Sequence, residues 1–279
     1  MTTLPPQDRI AQEMYEAVER QRRGQIRDYL GMSAIGKPCD RALWMQFRQF
    51  TPVVPEGRVL MLFDLGNLIE EQIIKALRLA GYKVEDRDPA TDRQWGFQAH
   101  GGLFRGHCDG VVHGITRRAH ILECKSANAA KFDAFKRFGV QATYPEYYCQ
   151  AQCYMGYSGL ERALFVVANK NTSELYTERV RFNPDDFEAL HTRAAAIISA
   201  NAMPARGFKQ GSQECRFCDL RIHCWSPESA IQEHHTCGSC TFLSFEGIKP
   251  RCRKPEHPFA VEAWGIGCDD WLFCAEAPF

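Results

Sequence analysis

The sequence has no net charge: 34 Lys and Arg stand against 34 Asp and Glu in 279 residues. That balance is unlike the basic excess of a typical nucleic-acid binder, but it leaves open any chemistry that works through carboxylates. No apolar run approaches membrane-spanning length. The opening Met1-Thr2-Thr3-Leu4-Pro5-Pro6-Gln7-Asp8 lacks the charged-then-apolar pattern of a secretory signal. The expectation is therefore a cytoplasmic protein with no membrane partner. Basic residues are scarce in one region: positions 231–279 hold 4 Lys and Arg against 7 Asp and Glu, and the 30 and 27 before them make the first part mildly basic. That region is expected to lack an independent core, so that a metal has to staple it.

Cysteine, by contrast, is plentiful. Thirteen is a high and odd count, and clustered cysteines without a secretion signal point to metal sites more than to disulfides. Hydrophobic content of 45% is ordinary for a globular chain, and the length suits one large domain with a small addition.

The stretch from Gly106 to Ser126 organises the rest. It reads Gly106-His107-Cys108-Asp109-Gly110, a short basic turn, then Ile121-Leu122-Glu123-Cys124-Lys125-Ser126. On a strand, residues i and i+2 share a face, so Glu123 and Lys125 point one way and Cys124 the other. A hairpin pivoting on Thr116, with a loop of Gly114 to Arg118, sets Asp109 directly across from Glu123. Two carboxylates and a lysine then share one patch of sheet. Carboxylate oxygens suit a hard divalent cation, and an ammonium beside them can orient water or steady a phosphate. The competing reading is a solvated face or a surface salt bridge. His107 falls on the face of Asp109 and reads as a hydrogen-bonding neighbour in preference to a ligand.

Around this hairpin the periodicity predicts further elements. Residues 6–29 read as a helix whose basic side, Arg20, Arg22, Arg23 and Arg27, reads as a solvated face. Ser33 caps a short turn, and Pro38 suits the first turn of a second helix, placing Cys39 near a helix N-terminus. A long helix over 57–80 stops at Gly81. Its Glu71 shares a face with Asn67, Lys75 and Arg78 and is an ordinary surface acid. Glu70 shares a face with Gly66, Ile73, Ile74 and Leu77, where a carboxylate is costly without a partner; a metal ion would be one, and Gly66 leaves room for it. Strands are expected at 82–86, 95–100 and 103–112, a helix at 127–138, and a second helix from Pro145 to about Tyr157 with Gln150 and Tyr154 on one face. Strands at 162–168 and 175–182 follow. Asn183 then caps a helix that begins with Pro184 and runs to about Asn201.

Cys215, Cys218 and Cys224 form a chelating cluster that needs a fourth ligand. Cys39 is the natural candidate, with His223 as a substitute. Such a set holds either zinc or a [4Fe–4S] cluster. After a linker at Ser226-Pro227-Glu228-Ser229 come Cys237, Cys240, Cys252, Cys268 and Cys274, with His234, His235 and His257 between them. Cys237, Cys240, Cys252 and Cys268 are assigned as a second four-thiolate site, structural and for zinc, with a second iron–sulfur cluster as the alternative; Cys274 is left over.

In order, these pieces resemble PD-(D/E)xK nucleases of the RecB-like type, and most of all the iron–sulfur exonucleases related to the CRISPR-associated adaptation nuclease and to AddB-type repair nucleases. The resemblance runs through Ser33 with Cys39 and Arg41, Gly66 with Glu70, Gly106 with Asp109-Gly110, Glu123-Cys124-Lys125, Gln150 with Tyr154, and Cys215, Cys218 and Cys224. CRISPR-associated members often carry a histidine in the first acidic motif, where this chain has Glu70. The tail from 226 lies outside the resemblance.

The resemblance implies an α/β, restriction-endonuclease-like fold, with a mixed β-sheet core flanked by helices, over residues 1–225; residues 226–279 would be a small cysteine-rich, metal-stapled appendage. It implies a [4Fe–4S] cluster on Cys39, Cys215, Cys218 and Cys224. It further implies a Mg²⁺- or Mn²⁺-dependent DNA exonuclease leaving 5′-phosphates, acting on single strands or free ends in DNA repair, recombination, phage DNA processing or CRISPR adaptation. Glu70, Asp109, Glu123 and the Cys124 carbonyl would hold the ion. Lys125 would position water, and Gln150 and Tyr154 would orient the substrate backbone. A homo-oligomer, or a recombination or CRISPR protein partner, is compatible with it. Two other functions fit parts of the sequence: a non-cleaving DNA-binding component of a recombination or spacer-capture complex, against which the intact acidic set argues, and a regulator with zinc at both cysteine groups.

Overall fold

A computed structural model describes residues 7–22, 27–50, 55–226, 236–254 and 268–272. In chain order the elements are α1 (Gln7–Arg22), β1 (Leu30–Gly31), α2 (Asp40–Phe47), α3 (Gly57–Leu79), β2 (Lys83–Glu85), β3 (Gly96–Ala99), β4 (Phe104–His107), β5 (Gly110–His113) and β6 (His120–Ala127). Then come α4 (Ala129–Thr143), α5 (Pro145–Ser158), β7 (Arg162–Asn169), β8 (Leu175–Arg181), α6 (Pro184–Ser199), α7 (Gln213–Arg216), α8 (Arg221–Trp225), β9 (Leu243–Glu246) and β10 (Lys249–Cys252).

The main sheet has the order β2-β5-β6-β7-β8, with β6 and β7 parallel and the other neighbours antiparallel. A parallel pair needs a crossover, and α4 and α5 supply it. The apolar run of β7, buried from Ala163 to Asn169, requires cover on both faces. On one face Leu164, Val166 and Leu122 meet Ile73 and Ile74 of α3. On the other, Phe165, Val167 and Ile121 join the larger core with Phe132, Phe135, Ala151 and Met155 of the crossover helices. The sheet is therefore mixed and flanked by helices on both sides.

The β5–β6 hairpin has the register read from the sequence: Gly110 pairs with Leu122, Val111 with Ile121 and Val112 with His120. One expected strand divides. Residues 103–112 form two strands in two sheets, because β4 pairs with β1 and β3 while β5 pairs with β2 and β6. The chain forks at Cys108-Asp109. His100 leaves its expected strand for a short 3-10 turn, His100–Gly102. The helix expected at 127–138 starts later, since Ala127 still pairs in β6, and continues past a kink at Gly139. Beyond the kink its N–H groups are served from afar: Val140 donates to Glu178 of β8 at 2.7 Å. The first helix is described to Arg22, and Arg27, Asp28 and Tyr29, expected at its end, are not helical; Arg23 and residues 227–229 of the linker lie outside the described residues, as do His234, His235, His257 and Cys274.

The β9–β10 hairpin does not stand apart. Leu243 and Phe245 are buried in the main core, and Asn201 both donates to and accepts from the Phe245 backbone. Arg48, buried at the end of α2 with its cation over the Trp44 ring, donates to the carbonyls of Gly238 (2.6 Å) and Cys240 (3.0 Å).

Candidate active site

The fork carries the acids. Asp109 leaves the small sheet just before Gly110, whose φ of +153° and close approach to the Glu85 carbonyl leave no room for a side chain. A Cβ there would lie 2.8 Å from that oxygen. Held this way, Asp109 turns its carboxylate onto the neighbouring strand and accepts from the Cys124 N–H at 2.6 Å. Glu123 and Lys125 share a face of β6, and Lys125 Nζ donates to Glu123 Oε2 at 2.6 Å. Glu70 comes from α3, which packs on a face of the main sheet.

The four groups feel one another's charge. Burial, then Asp109, pushes Glu70 up to about 7, with Lys125 opposing. Burial pushes Glu123 up to about 8; Lys125 opposes and Asp109 adds to the rise. Asp109 is raised by burial against Lys125 and the Cys124 N–H. Burial alone would lower Lys125, but Glu123 and Asp109 override it and hold the ammonium charged. The thiol of Cys124, on the opposite face, is raised by burial and by the same carboxylates. Glu123 is fully buried, and its Oε1 has no hydrogen-bond partner. A bare carboxylate oxygen in the interior is costly.

Gln150 and Tyr154 form the adjoining wall. Gln150 donates to the Tyr154 hydroxyl at 2.8 Å, and burial holds that phenol well above its ordinary pKa. Tyr154 packs so tightly on Gly106 that a Cβ there would lie 2.6 Å from its ring. Both line a polar cavity of about 160 Å³ with Arg27, Ser33, Arg105 and His107. Arg27 and Arg105 each lie 5.1 Å over the Tyr29 ring. Arg27 is thus exposed yet built into the cavity wall, a departure from the solvated face expected of it. His107 also faces the cavity, its pKa lowered by burial and by the two arginines. Sequence reasoning passed over Arg105 and Tyr29, whose relation to the site depends on the β1–β4 pairing. It also missed Tyr147, whose ring lies 4.9 Å from Lys125 Nζ; the aromatic density of Tyr144-Pro145-Glu146-Tyr147-Tyr148 was the available signal.

Of the first cysteine group, Cys39 is the N-cap of α2, Cys215 lies in α7, Cys218 follows it and Cys224 lies in α8. Burial raises the Cys218 thiol, and Cys39 and Cys215 raise it further, so these three are neighbours. Cys224 packs against the core. The loop that carries Ser33 to Cys39 is pinned by Arg193 of α6, which donates to the carbonyls of Ile35 and Lys37 and to Asp40. In the second group, burial and then Cys240, Cys268 and Cys252 push Cys237 up to about 11, so those four thiols also gather. Among the described residues no group of three or more His, Cys, Asp or Glu side chains is arranged to hold a metal ion, and no helix is long and apolar enough to cross a membrane.

No family model matches the chain, and no curated protein matches it in sequence. Among solved structures, the protein SSO0001 gives a TM-score of 0.49 at 12% identity, over 78% of this chain and 97% of that one. An alkaline exonuclease, LHK-Exo, from Laribacter hongkongensis gives 0.45 at 17% identity, over 66% and 89%. A phage-related exonuclease from Haemophilus somnus 129PT gives 0.45 at 13%, over 61% and 91%. Likeness this distant carries no chemistry with it; the site has to supply its own.

Proposed function

We propose that the chain is a divalent-metal-dependent DNA exonuclease of the RecB-like PD-(D/E)xK kind, with its catalytic centre in residues 1–225. The observation that carries this reading is Glu123: wholly buried, one oxygen on Lys125, the other bare. A divalent cation held by this acid and its neighbours Asp109 and Glu70 would remove the cost of burying it. The donors are hard oxygens, which suits Mg²⁺ or Mn²⁺. Glu70, Asp109, Glu123 and the Cys124 carbonyl are the proposed ligands.

When bound, the ion supplies positive charge to the scissile phosphate and makes the attacking water more acidic. The chain's own residues do the rest. Lys125 remains an ammonium and so acts as a donor, not as a base: it positions the water and steadies charge gathering on a non-bridging phosphate oxygen. The Gln150–Tyr154 pair and the arginines of the polar cavity hold the strand's phosphates in place. The leaving group is the 3′-oxygen, which yields a 5′-phosphate.

Both cysteine groups belong to this proposal as structural sites. Cys39, Cys215, Cys218 and Cys224 suit a [4Fe–4S] cluster that ties α2 to the C-terminal helices. Cys237, Cys240, Cys252 and Cys268 suit zinc that staples residues 226–279. Purification without air, followed by iron, sulfide and zinc analysis of the same sample used for cleavage, tests all three sites together. End-labelled single-stranded DNA with Mn²⁺ should be shortened by the wild type and left intact by Glu123→Gln. Equal behaviour of the two proteins would sink the proposal.

A further inference from the structure

Tyr144 and Tyr147 stack face to face, with ring centroids 4.0 Å apart and planes inclined by 15°. The pair is held from several sides. Tyr144 ends α4 and opens α5, its N–H donating to the Val140 carbonyl. Tyr147 lies parallel to the buried Phe135 ring, 6.5 Å away. At one end of the stack Lys125, the ammonium beside Glu123, sits 4.9 Å from the Tyr147 centroid. At the other end the exposed Lys131 of α4 sits 4.9 Å from the Tyr144 centroid. With Tyr147 against one face of Tyr144, that ammonium must cover the other.

The other tyrosines of this region bond within the protein. Tyr148 donates to Asp186 and Tyr176 to Glu178, Tyr154 accepts from Gln150, and Tyr157 pairs with His191. The hydroxyls of Tyr144 and Tyr147 make no hydrogen bond among the described residues, so polar anchoring does not account for the pair. A column of cation, ring, ring and cation therefore leads from the acidic centre to the surface.

We propose that the Tyr144–Tyr147 pair, flanked by Lys125 and Lys131, seats an unpaired nucleobase beside the acidic centre and makes the site selective for single strands. The inference rests on the cleavage reading above and names the selectivity residues for it. An incoming base takes the place of the Lys131 ammonium on the outer face of Tyr144. Lys131 then swings to the adjoining phosphate. Only a base free of its neighbours has a face to offer, so duplex DNA is refused except at frayed ends.

The test uses the full chain without added divalent cation, so that nothing is cut. Fluorescence polarisation compares a labelled oligothymidylate with an abasic strand of the same length. Tyr144→Leu should weaken binding of the oligothymidylate about tenfold and leave the abasic strand unchanged. Tyr144→Phe should bind like the wild type, and Lys131→Gln should weaken both strands alike. A misfolded variant would lose both strands together, and Tyr144→Phe shows whether the ring alone suffices. Equal affinity of the wild type for the two strands, no binding of either, or no selective loss in Tyr144→Leu overturns the proposal. The cleavage reading fails separately, if the wild type with Mn²⁺ cuts neither strand while still preferring the one with bases.

Discussion

Asp109 sits between two other acids and helps each of them keep its proton. Glu70 and Glu123 have folded-state pKa values near 7 and 8, above their ordinary 4.5, and Asp109 is raised as well. Between about pH 4.5 and 8 the folded chain therefore binds more protons than the unfolded chain. Stability from these groups is full below the lower figure and is lost as pH rises through the upper ones. Asp109→Asn removes a like charge from both neighbours, and each pKa unit relieved is worth roughly 1.4 kcal/mol. Without divalent cation, the fall in thermal midpoint from acid to mildly alkaline pH should be smaller in Asp109→Asn than in the wild type. Added Mn²⁺ should raise the wild-type midpoint most at alkaline pH, where the protons have already left, and should do little for the variant. A wild-type midpoint with the same pH dependence as the variant would count against this account.

At the scale of elements, the acids depend on the fork between β4 and β5. Gly110→Ala forces a side chain toward the Glu85 carbonyl at a φ that L-residues avoid, costing roughly 1–3 kcal/mol. Denaturant titration should show that loss, and cleavage should fall with it as Asp109 shifts off the Cys124 N–H. The hairpin beyond the fork was legible in the sequence because it is local. The alternation of Glu123 and Lys125 and the pivot at Thr116 need only neighbouring residues, and they put Asp109 opposite Glu123. The fork itself was not legible, since the partners that divide 103–112 come from residues 30–31 and 83–85. The end of α4, from Gly139 to Thr143, was missed for the same kind of reason. The helical pattern was followed only to residue 138, and the carboxylate that answers Val140 lies on β8. Glu70 could be singled out from its helical face alone, whereas Tyr147 could be placed only once α5 was packed on β6.

For the whole molecule, the C-terminal hairpin is joined to the first 50 residues through Arg48. Its guanidinium reaches the Gly238 and Cys240 carbonyls, both within the Cys237-Gly238-Ser239-Cys240 turn. Arg48→Leu keeps some of the volume and deletes the charged donors, which should cost roughly 2–3 kcal/mol. Thermal melting reads that loss; on the proposal that Cys237 and Cys240 help hold zinc, metal analysis after gel filtration should also show weaker retention than in the wild type. A variant that melts like the wild type would show that Leu243, Phe245 and Asn201 secure the hairpin without Arg48. From the sequence, residues 226–279 read as a small metal-stapled appendage without a core of their own. What that reading could not reveal is that Leu243 and Phe245 are buried in the main core.

The parallel pairing of β6 with β7 has a consequence for what this chain tolerates. Two strands running the same way demand a long return path, and here that path is the α4–α5 segment bearing Lys131, Tyr144, Tyr147, Gln150 and Tyr154. Topology and chemistry are thereby bound to one stretch of sequence. Shortening it to simplify the fold would strip one wall from the acidic centre. The tip of the β5–β6 hairpin, at the far end from Asp109 and Glu123, carries no such double duty and is where added length can accumulate without reaching the acids.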